Sequence, residues 1–287
     1  LFPHHPFDRK GEKPRHEGGR FPHRRRCLDR RGPVGGVSAS GGAVVINGQS
    51  VLAIIPARAG SKRIPNKNIK DFSGKPLIVH AIEDALAASY IDRVIVDTDS
   101  EEIAKIVREN GAEVPFLRPA ELAQDTSQAI DNIIYTLNKL KEEEGYDPTY
   151  VFILQTTSPL REVEDIDKCW DLMQRSNATT VLTVCSTHPR LYHLTEDNDI
   201  VLVNGTEAAS TNIQDWSPGY ILNGCFVYII ETKALLKERR VITEKTKAVV
   251  CDKWRSVDLD TPEDWELAEL LYQNKEMLTN RIKNLCN

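Results

Sequence analysis

From residue 51 onward the apolar positions follow two alternating rhythms. Val51-Leu52-Ala53-Ile54-Ile55, Arg93-Val94-Ile95-Val96, Tyr150-Val151-Phe152-Ile153-Leu154 and Thr179–Val184 are short, nearly unbroken apolar runs. Their length and β-branched content predict strands covered on both faces. Between them apolar residues recur at helical spacing. Ile78, Ala81, Ile82 and Ala85 mark a helix over residues 76–88, and Ile103, Ile106 and Val107 mark one that stops near Asn110-Gly111. Ile130, Ile133, Ile134 and Leu137 mark a third, and Ile166, Cys169, Trp170 and Met173 a fourth. Val114–Leu117 reads as a further short strand, confined to an edge by Pro115. The alternation predicts an α/β fold: a mostly parallel, Rossmann-like sheet with helices on both faces. Ligands in such sheets sit at the carboxyl ends of the strands.

The rhythm breaks over Ser186–Gly219, a polar stretch containing Trp216-Ser217-Pro218-Gly219. A segment this long inside a compact domain is usually functional or an interface. The core resumes with a strand over Ile221–Ile230, interrupted at Asn223-Gly224. A C-terminal helix from Pro262 carries Trp265, Leu267, Ala268, Leu271 and Tyr272 as its apolar side. Residues 1–50 have no period before Ala43, and hold nine glycines and five prolines. That composition predicts a disordered basic extension, leaving one domain over 51–287 with an insertion at 186–219.

Charge sharpens the picture. The net charge of the 287 residues is −5, yet residues 1–50 carry ten Lys or Arg against four Asp or Glu, so residues 51–287 carry −11. A nucleic-acid surface on the folded part is disfavoured. No apolar run approaches the ~20 residues that span a bilayer. Six scattered cysteines without a Cys-x-x-Cys pair fit reduced thiols in the cytoplasm.

Against that acidic background the loop after the first strand is conspicuous: Ala57-Arg58-Ala59-Gly60-Ser61-Lys62-Arg63-Ile64-Pro65-Asn66-Lys67-Asn68. Cations and close backbone N–H groups at such a position suit a polyphosphate, although a solvated basic loop has the same composition. Near the other end, Ser256-Val257-Asp258-Leu259-Asp260-Thr261-Pro262 reads as a short strand feeding a helix cap. On a strand, Asp258 and Asp260 share one face. Such a pair suits a hard cation like Mg²⁺, which takes one or two carboxylates plus substrate phosphates. Loop and carboxylates together point to nucleotide chemistry.

With these residues in place the chain resembles the acylneuraminate cytidylyltransferases, the CMP-sialic acid synthetases, over residues 51–287. The motifs that carry the resemblance are the 57–68 loop, Leu117-Arg118-Pro119-Ala120-Glu121-Leu122-Ala123-Gln124-Asp125, Gln155-Thr156-Thr157-Ser158-Pro159-Leu160-Arg161, Asn223-Gly224 and Asp258-Leu259-Asp260. Ile213 stands where many members carry an arginine on the sugar side. The resemblance implies a nucleotidyltransferase fold and the transfer of CMP from CTP to a nine-carbon 2-keto-3-deoxy sugar acid. N-acetylneuraminic acid and relatives such as legionaminic acid are the acceptors considered. It implies Mg²⁺ on Asp258 and Asp260, with Arg58, Lys62 and Lys67 on the triphosphate, Ser61 beside it and Asn68 on the nucleotide. Arg118 is the candidate for the cytosine edge, or else an ion-pair partner of Asp125 or Glu121. Gln155 faces the acceptor, and Ser158 and Arg161 contact substrate or merely shape the strand end. Asn223 lines the nucleotide pocket or serves a turn. A homodimer, joined through 186–219, is also implied. The rivals are a Kdo or GDP-sugar synthetase of the same fold, a glycosyltransferase using Asp97-Thr98-Asp99, and a nucleic-acid binder using the basic N-terminus.

Overall fold

The apolar runs assemble into one seven-stranded sheet. A computed structural model describes residues 48–124, 128–203, 217–224 and 226–285. In chain order the elements begin with β1 (Val51–Pro56), the small hairpin β2 (Asp71–Phe72) and β3 (Lys75–Pro76), α1 (Leu77–Ala87), β4 (Arg93–Asp97) and α2 (Glu101–Glu109). Next come α3 (Ala129–Glu144), β5 (Tyr150–Ile153), α4 (Val163–Gln174), β6 (Thr180–Thr187), and a second hairpin of β7 (Tyr192–Leu194) and β8 (Ile200–Leu202). The rest are β9 (Gly219–Leu222), β10 (Tyr228–Glu231), α5 (Thr232–Glu238), β11 (Thr246–Cys251), α6 (Pro262–Gln273) and α7 (Lys275–Leu285). The sheet order is β11-β6-β10-β5-β1-β4, with β9 also paired to β6. β1 is parallel to β4 and β5, and β11 to β6, whereas β9 and β10 run antiparallel.

Strand parity divides the core in two. Val51, Ala53 and Ile55 pack with Ile78 and Ile82 of α1, Ile103 and Val107 of α2, and Ile166 and Cys169 of α4. Leu52 and Ile54 face the other way, onto Ile133 and Leu137 of α3 and Leu235 of α5. Burying each such side chain stabilises the fold by about 1.5–3 kcal/mol. A third, smaller cluster matters more for function. Ile64, Phe72, Leu77, Leu160, Leu259, Trp265 and Ala268 join the basic loop, the loop after β5, the Asp258 segment and α6. The loop after β1 and the segment before α6 are thereby drawn together beside the loop after β5.

Several expectations need correction. Val114–Leu117 is not a strand. Only Glu113 bridges to Ile95, and Pro115 has no N–H with which to continue the ladder. Ser256–Asp260 is not a strand either, because no neighbouring strand is there to pair with it. A 3₁₀ turn at Lys253–Arg255 precedes it, and the Asp260 N–H returns to the Asp258 carbonyl at 3.0 Å. The alternation argument for a shared carboxylate face therefore fails. The expected strand 221–230 splits at Asn223-Gly224 into β9 and β10, and β11 was not foreseen. Thr261 does cap α6, with Pro262 at its first position and a reciprocal bond from Asp264, but Leu267 points outward at 49% exposure. Ser186–Gly219 begins as an extension of β6 and continues into the β7–β8 hairpin. The calls on Asp125, Ile213 and Trp216, and nearly all of the 1–50 extension, lie outside the described residues. Among the described residues no helix is long and apolar enough to cross a membrane.

Candidate active site

β1 lies between β4 and β5: the chain passes from β1 to β4 on one side and then crosses back to form β5 on the other. A cavity of about 690 Å³ opens at the carboxyl ends of these strands. The position follows from topology, since the loops diverge where strand order reverses. The volume is in the range of small-molecule sites.

The basic loop forms one wall. Its backbone is held by β4: the Ala57 N–H donates to the Asp97 carbonyl (2.9 Å), and the Ala59 N–H to Asp99 Oδ1 (2.9 Å). Arg58, Ser61, Lys62, Arg63, Lys67 and Asn68 all line the cavity. Asn68 is buried, and both ends of its amide are engaged. Its Nδ2 donates to the Arg58 carbonyl (2.9 Å), and its Oδ1 accepts from Thr156 Oγ1 (2.7 Å). It bolts the basic loop to the loop after β5 and at the same time lines the cavity. Gln155 lines the cavity beside Thr156 and Thr157, as expected.

Arg118 also lines the cavity, and it is paired with Asp97; the alternative partner Asp125 lies outside the described residues. Nε and Nη2 grip Asp97 Oδ1 and Oδ2 at 2.9 and 2.6 Å, and Nη2 also reaches the Asp97 carbonyl. Both residues are buried. The Asn132 amide, turned so that its nitrogen donates to the Leu122 carbonyl, accepts from Arg118 Nη1 at 3.3 Å. Arg118 thus presents one edge of its guanidinium beside Leu122, Asn132, Ile133 and Tyr228, a flat and partly apolar recess. Asp97 and Asn132 are site residues that the sequence reading missed. Asp97 stood at the carboxyl end of a strand, the one available signal, but its partner lies 21 positions away.

The carboxylate segment adjoins the basic loop, and of its two aspartates Asp260 lines the cavity and Asp258 does not. Asp260 is exposed, with Arg63 Nη1 at 3.5 Å from its Oδ2. Between exposed groups such a pair contributes little. Asp258 is half-buried. Burial raises its carboxyl above the ordinary value, helped by Asp260 and opposed by a Thr157 hydrogen bond and by Lys67. Lys67 Nζ donates to the Leu259 carbonyl (2.7 Å), between the two aspartates. The preceding turn is fixed by Arg255, which grips Asp165 at the start of α4 through Nη1 (2.6 Å) and Nη2 (2.9 Å).

Three expected substrate contacts are not brought to the cavity. Ser158 is fully buried, and its Oγ donates to the Gly224 carbonyl (2.7 Å). Asn223 is buried, accepting from Thr183 Oγ1 (2.8 Å) and donating to Ser256 Oγ (3.3 Å). Arg161 is buried too, joining Asp84 to the carbonyls of Gln155 and Phe226. All three satisfy buried polar groups instead of facing solvent.

The family model for cytidylyltransferases matches residues 52–283. The chain belongs to this family. A relative called CMP-N,N'-diacetyllegionaminic acid synthase, from Legionella pneumophila, is 36% identical over 79% of this chain and 99% of its own length. An N-acylneuraminate cytidylyltransferase of Streptococcus agalactiae is 30% identical over 75% of this chain, which spans 51% of that relative. A solved CMP:2-keto-3-deoxy-manno-octonic acid synthetase complexed with CTP has the same fold (TM-score 0.59, 17% identity, 79% of this chain and all of that one). For a cytidylyltransferase the donor set can be tested against a divalent cation. Asp258 Oδ1 is buried without a hydrogen-bond partner among the described residues, an arrangement that is costly unless something else occupies it. Among those residues no cluster of three or more metal-ligating side chains occurs. One or two carboxylates completed by substrate oxygens fit Mg²⁺.

Proposed function

We propose that this cytidylyltransferase joins CMP from CTP to the 2-hydroxyl of a nine-carbon 2-keto-3-deoxy sugar acid and releases pyrophosphate. The observation that carries the reading is the meeting, beside one cavity, of a cationic loop and the Asp258–Asp260 segment, which Lys67 joins through the Leu259 carbonyl and whose Asp260 lines the cavity. The acceptor oxygen attacks the α-phosphorus, and the bond from that phosphorus to the β-phosphate oxygen breaks. Such transfer needs positioning and charge neutralisation, with no protein nucleophile. Arg58, Lys62 and Lys67 hold the triphosphate and stabilise the departing pyrophosphate, with Ser61 contributing a donor. Arg118 presents its remaining Nη1–H to an acceptor on the cytosine edge. Gln155 faces the sugar acid. Asp258 and Asp260 would hold Mg²⁺, which when bound would supply Lewis-acid polarisation of the phosphate oxygens. The glycosyltransferase reading loses support because Asp97 and Asp99 are both engaged within the protein.

The acceptor is N-acetylneuraminic acid or a relative such as legionaminic acid, in line with the names of the similar proteins. We also propose a cytoplasmic homodimer, joined through the 186–219 region. Pyrophosphate release is measured with nine-carbon acids and Kdo against each of the four nucleoside triphosphates. The expected result is release with CTP and a nine-carbon acid. Release with GTP or with Kdo alone would overturn the assignment.

A further inference from the structure

Asp258 has an unusual neighbour. A Cβ placed on Gly224 would lie 2.8 Å from Asp258 Cβ, 2.9 Å from its Cγ and 3.1 Å from its Oδ1. Gly224 also has φ +68°, a conformation that side chains disfavour. The glycine is required twice over: by its backbone and by the carboxylate that rests on it. The turn is held from both sides. Ser158 Oγ donates to the Gly224 carbonyl (2.7 Å), and Asn223 bridges Thr183 of β6 to Ser256, two residues before Asp258. The Leu259 N–H donates to the Thr157 carbonyl (2.9 Å), so the loop after β5 also fixes the residue beyond Asp258. The result is a carboxylate pressed onto bare backbone, with one oxygen lacking a protein partner among the described residues.

We infer that the Asn223-Gly224 turn is the seat that fixes the Asp258 carboxylate beside the site, two residues from the cavity-lining Asp260, with Ser158, Asn223 and Gly224 as positioning residues that do not touch substrate. The inference rests on the proposed role of Asp258 in holding a divalent cation. Three motifs far apart in sequence then form one bracket. Ser158 sets Gly224, Gly224 sets the side chain of Asp258, and Asn223 sets the backbone leading to it. A methyl group at 224 must displace the carboxylate. Loss of the Ser158 hydroxyl releases the turn without adding bulk.

The test is a binding measurement without turnover. The dissociation constant of CTP is measured by calorimetry on the full chain, with no sugar acid, in EDTA and in excess Mn²⁺. The ratio of the two constants is the gain in affinity due to metal, and the EDTA value reports whether the phosphate pocket is folded. Residues that orient a metal ligand typically change metal affinity 10–100-fold, so Gly224→Ala is expected to cut the gain at least ~10-fold with the EDTA constant within about twofold of wild type. Ser158→Ala should cut it in the same direction by a smaller factor, and it decides the matter alone if Gly224→Ala does not bind CTP in EDTA. Asp258→Asn should abolish the gain. If it does so while folded Gly224→Ala and Ser158→Ala keep the wild-type gain, the seat is wrong and the reading of Asp258 stands. If Asp258→Asn itself keeps the gain, both fall.

Discussion

Lys67 has two roles. It lines the cavity, and its Nζ donates to the Leu259 carbonyl between the two aspartates. Burial lowers its pKa, against the pull of Asp260 and Asp258. Removing it would therefore lose the proposed phosphate contact and loosen the carboxylate segment. Lys62, more exposed, has the first role in the proposed site. In steady-state CTP titrations, Lys67→Ala is expected to lower kcat/KM for CTP at least ~100-fold and Lys62→Ala about 10-fold, the smaller loss being that of one charge-assisted contact. Equal kcat/KM in wild type and Lys67→Ala would remove it from the site. Asp260→Asn should reduce kcat at least ~100-fold with the fold intact, as expected on losing a metal's charge stabilisation. A variant fully active in EDTA-treated buffer without added metal would exclude that role. The sequence made the cationic loop and the aspartates legible because their residue types are chemically unambiguous. It could not separate Gln155, which lines the cavity, from Ser158 three positions on, which is buried. Polar residues at a strand end look alike until tertiary contacts show whose hydrogen bonds they satisfy. Arg118 shows the same limit, since a guanidinium suits a base or a carboxylate equally well and only the fold brings Asp97 to it.

Among elements, those buried on both faces were the most legible. β1, β4, β5 and β6 announce themselves as apolar runs because neither face may be polar. β11 escaped notice because it is an edge strand, and Lys247, Ala248 and Val250 face solvent. The Asp258 segment was misread because extended sequence alone does not make a strand without a partner. Helix α1 supplies a test of packing at this scale. His80 on its inner face is buried, its ring nitrogen Nε2 lies 3.0 Å from the Phe72 carbonyl, and its ring meets Phe72 and Tyr272 edge-on. Burial lowers its pKa from 6.5 to about 4, opposed by the Phe72 hydrogen bond, with Lys75, Glu83 and Arg161 the nearby charges. The unfolded chain therefore binds a proton that the folded chain refuses, and stability falls as pH drops from about 6.5 towards 4. At pH 5 the loss from this group is roughly 2 kcal/mol. His80→Gln should show a smaller drop in urea midpoint between pH 7 and pH 5 than wild type. An unchanged drop would mean that His80 is not the titrating group.

For the whole molecule, the β7–β8 hairpin is the feature that the monomer leaves unexplained. Its register places Leu194 opposite Ile200 and Tyr192 opposite Leu202, so four large apolar residues share one face. Leu194 and Ile200 are each 66% exposed, and β9 adds Tyr220 at 50% and Leu222 at 46%. Soluble monomers rarely leave the apolar face of a hairpin this exposed without a partner. A second copy is the occupant that fits the proposed homodimer, and two-fold symmetry would let one hairpin meet its own counterpart or the neighbour's sheet edge with a single kind of patch. An aspartate in such a patch must be desolvated on association, and central apolar anchors typically contribute 2 kcal/mol or more. Leu194→Asp and Ile200→Asp are therefore each expected to weaken self-association at least ~30-fold, read by sedimentation across a concentration series. Because both side chains are exposed in the single chain, the melting temperature extrapolated to low concentration should not move. If the partner also completes the sugar side of the site, the loss appears as a raised KM for the sugar acid with the KM for CTP unchanged. A wild-type chain that stays monomeric at high micromolar concentration with full activity would exclude both the interface and any contribution from a partner.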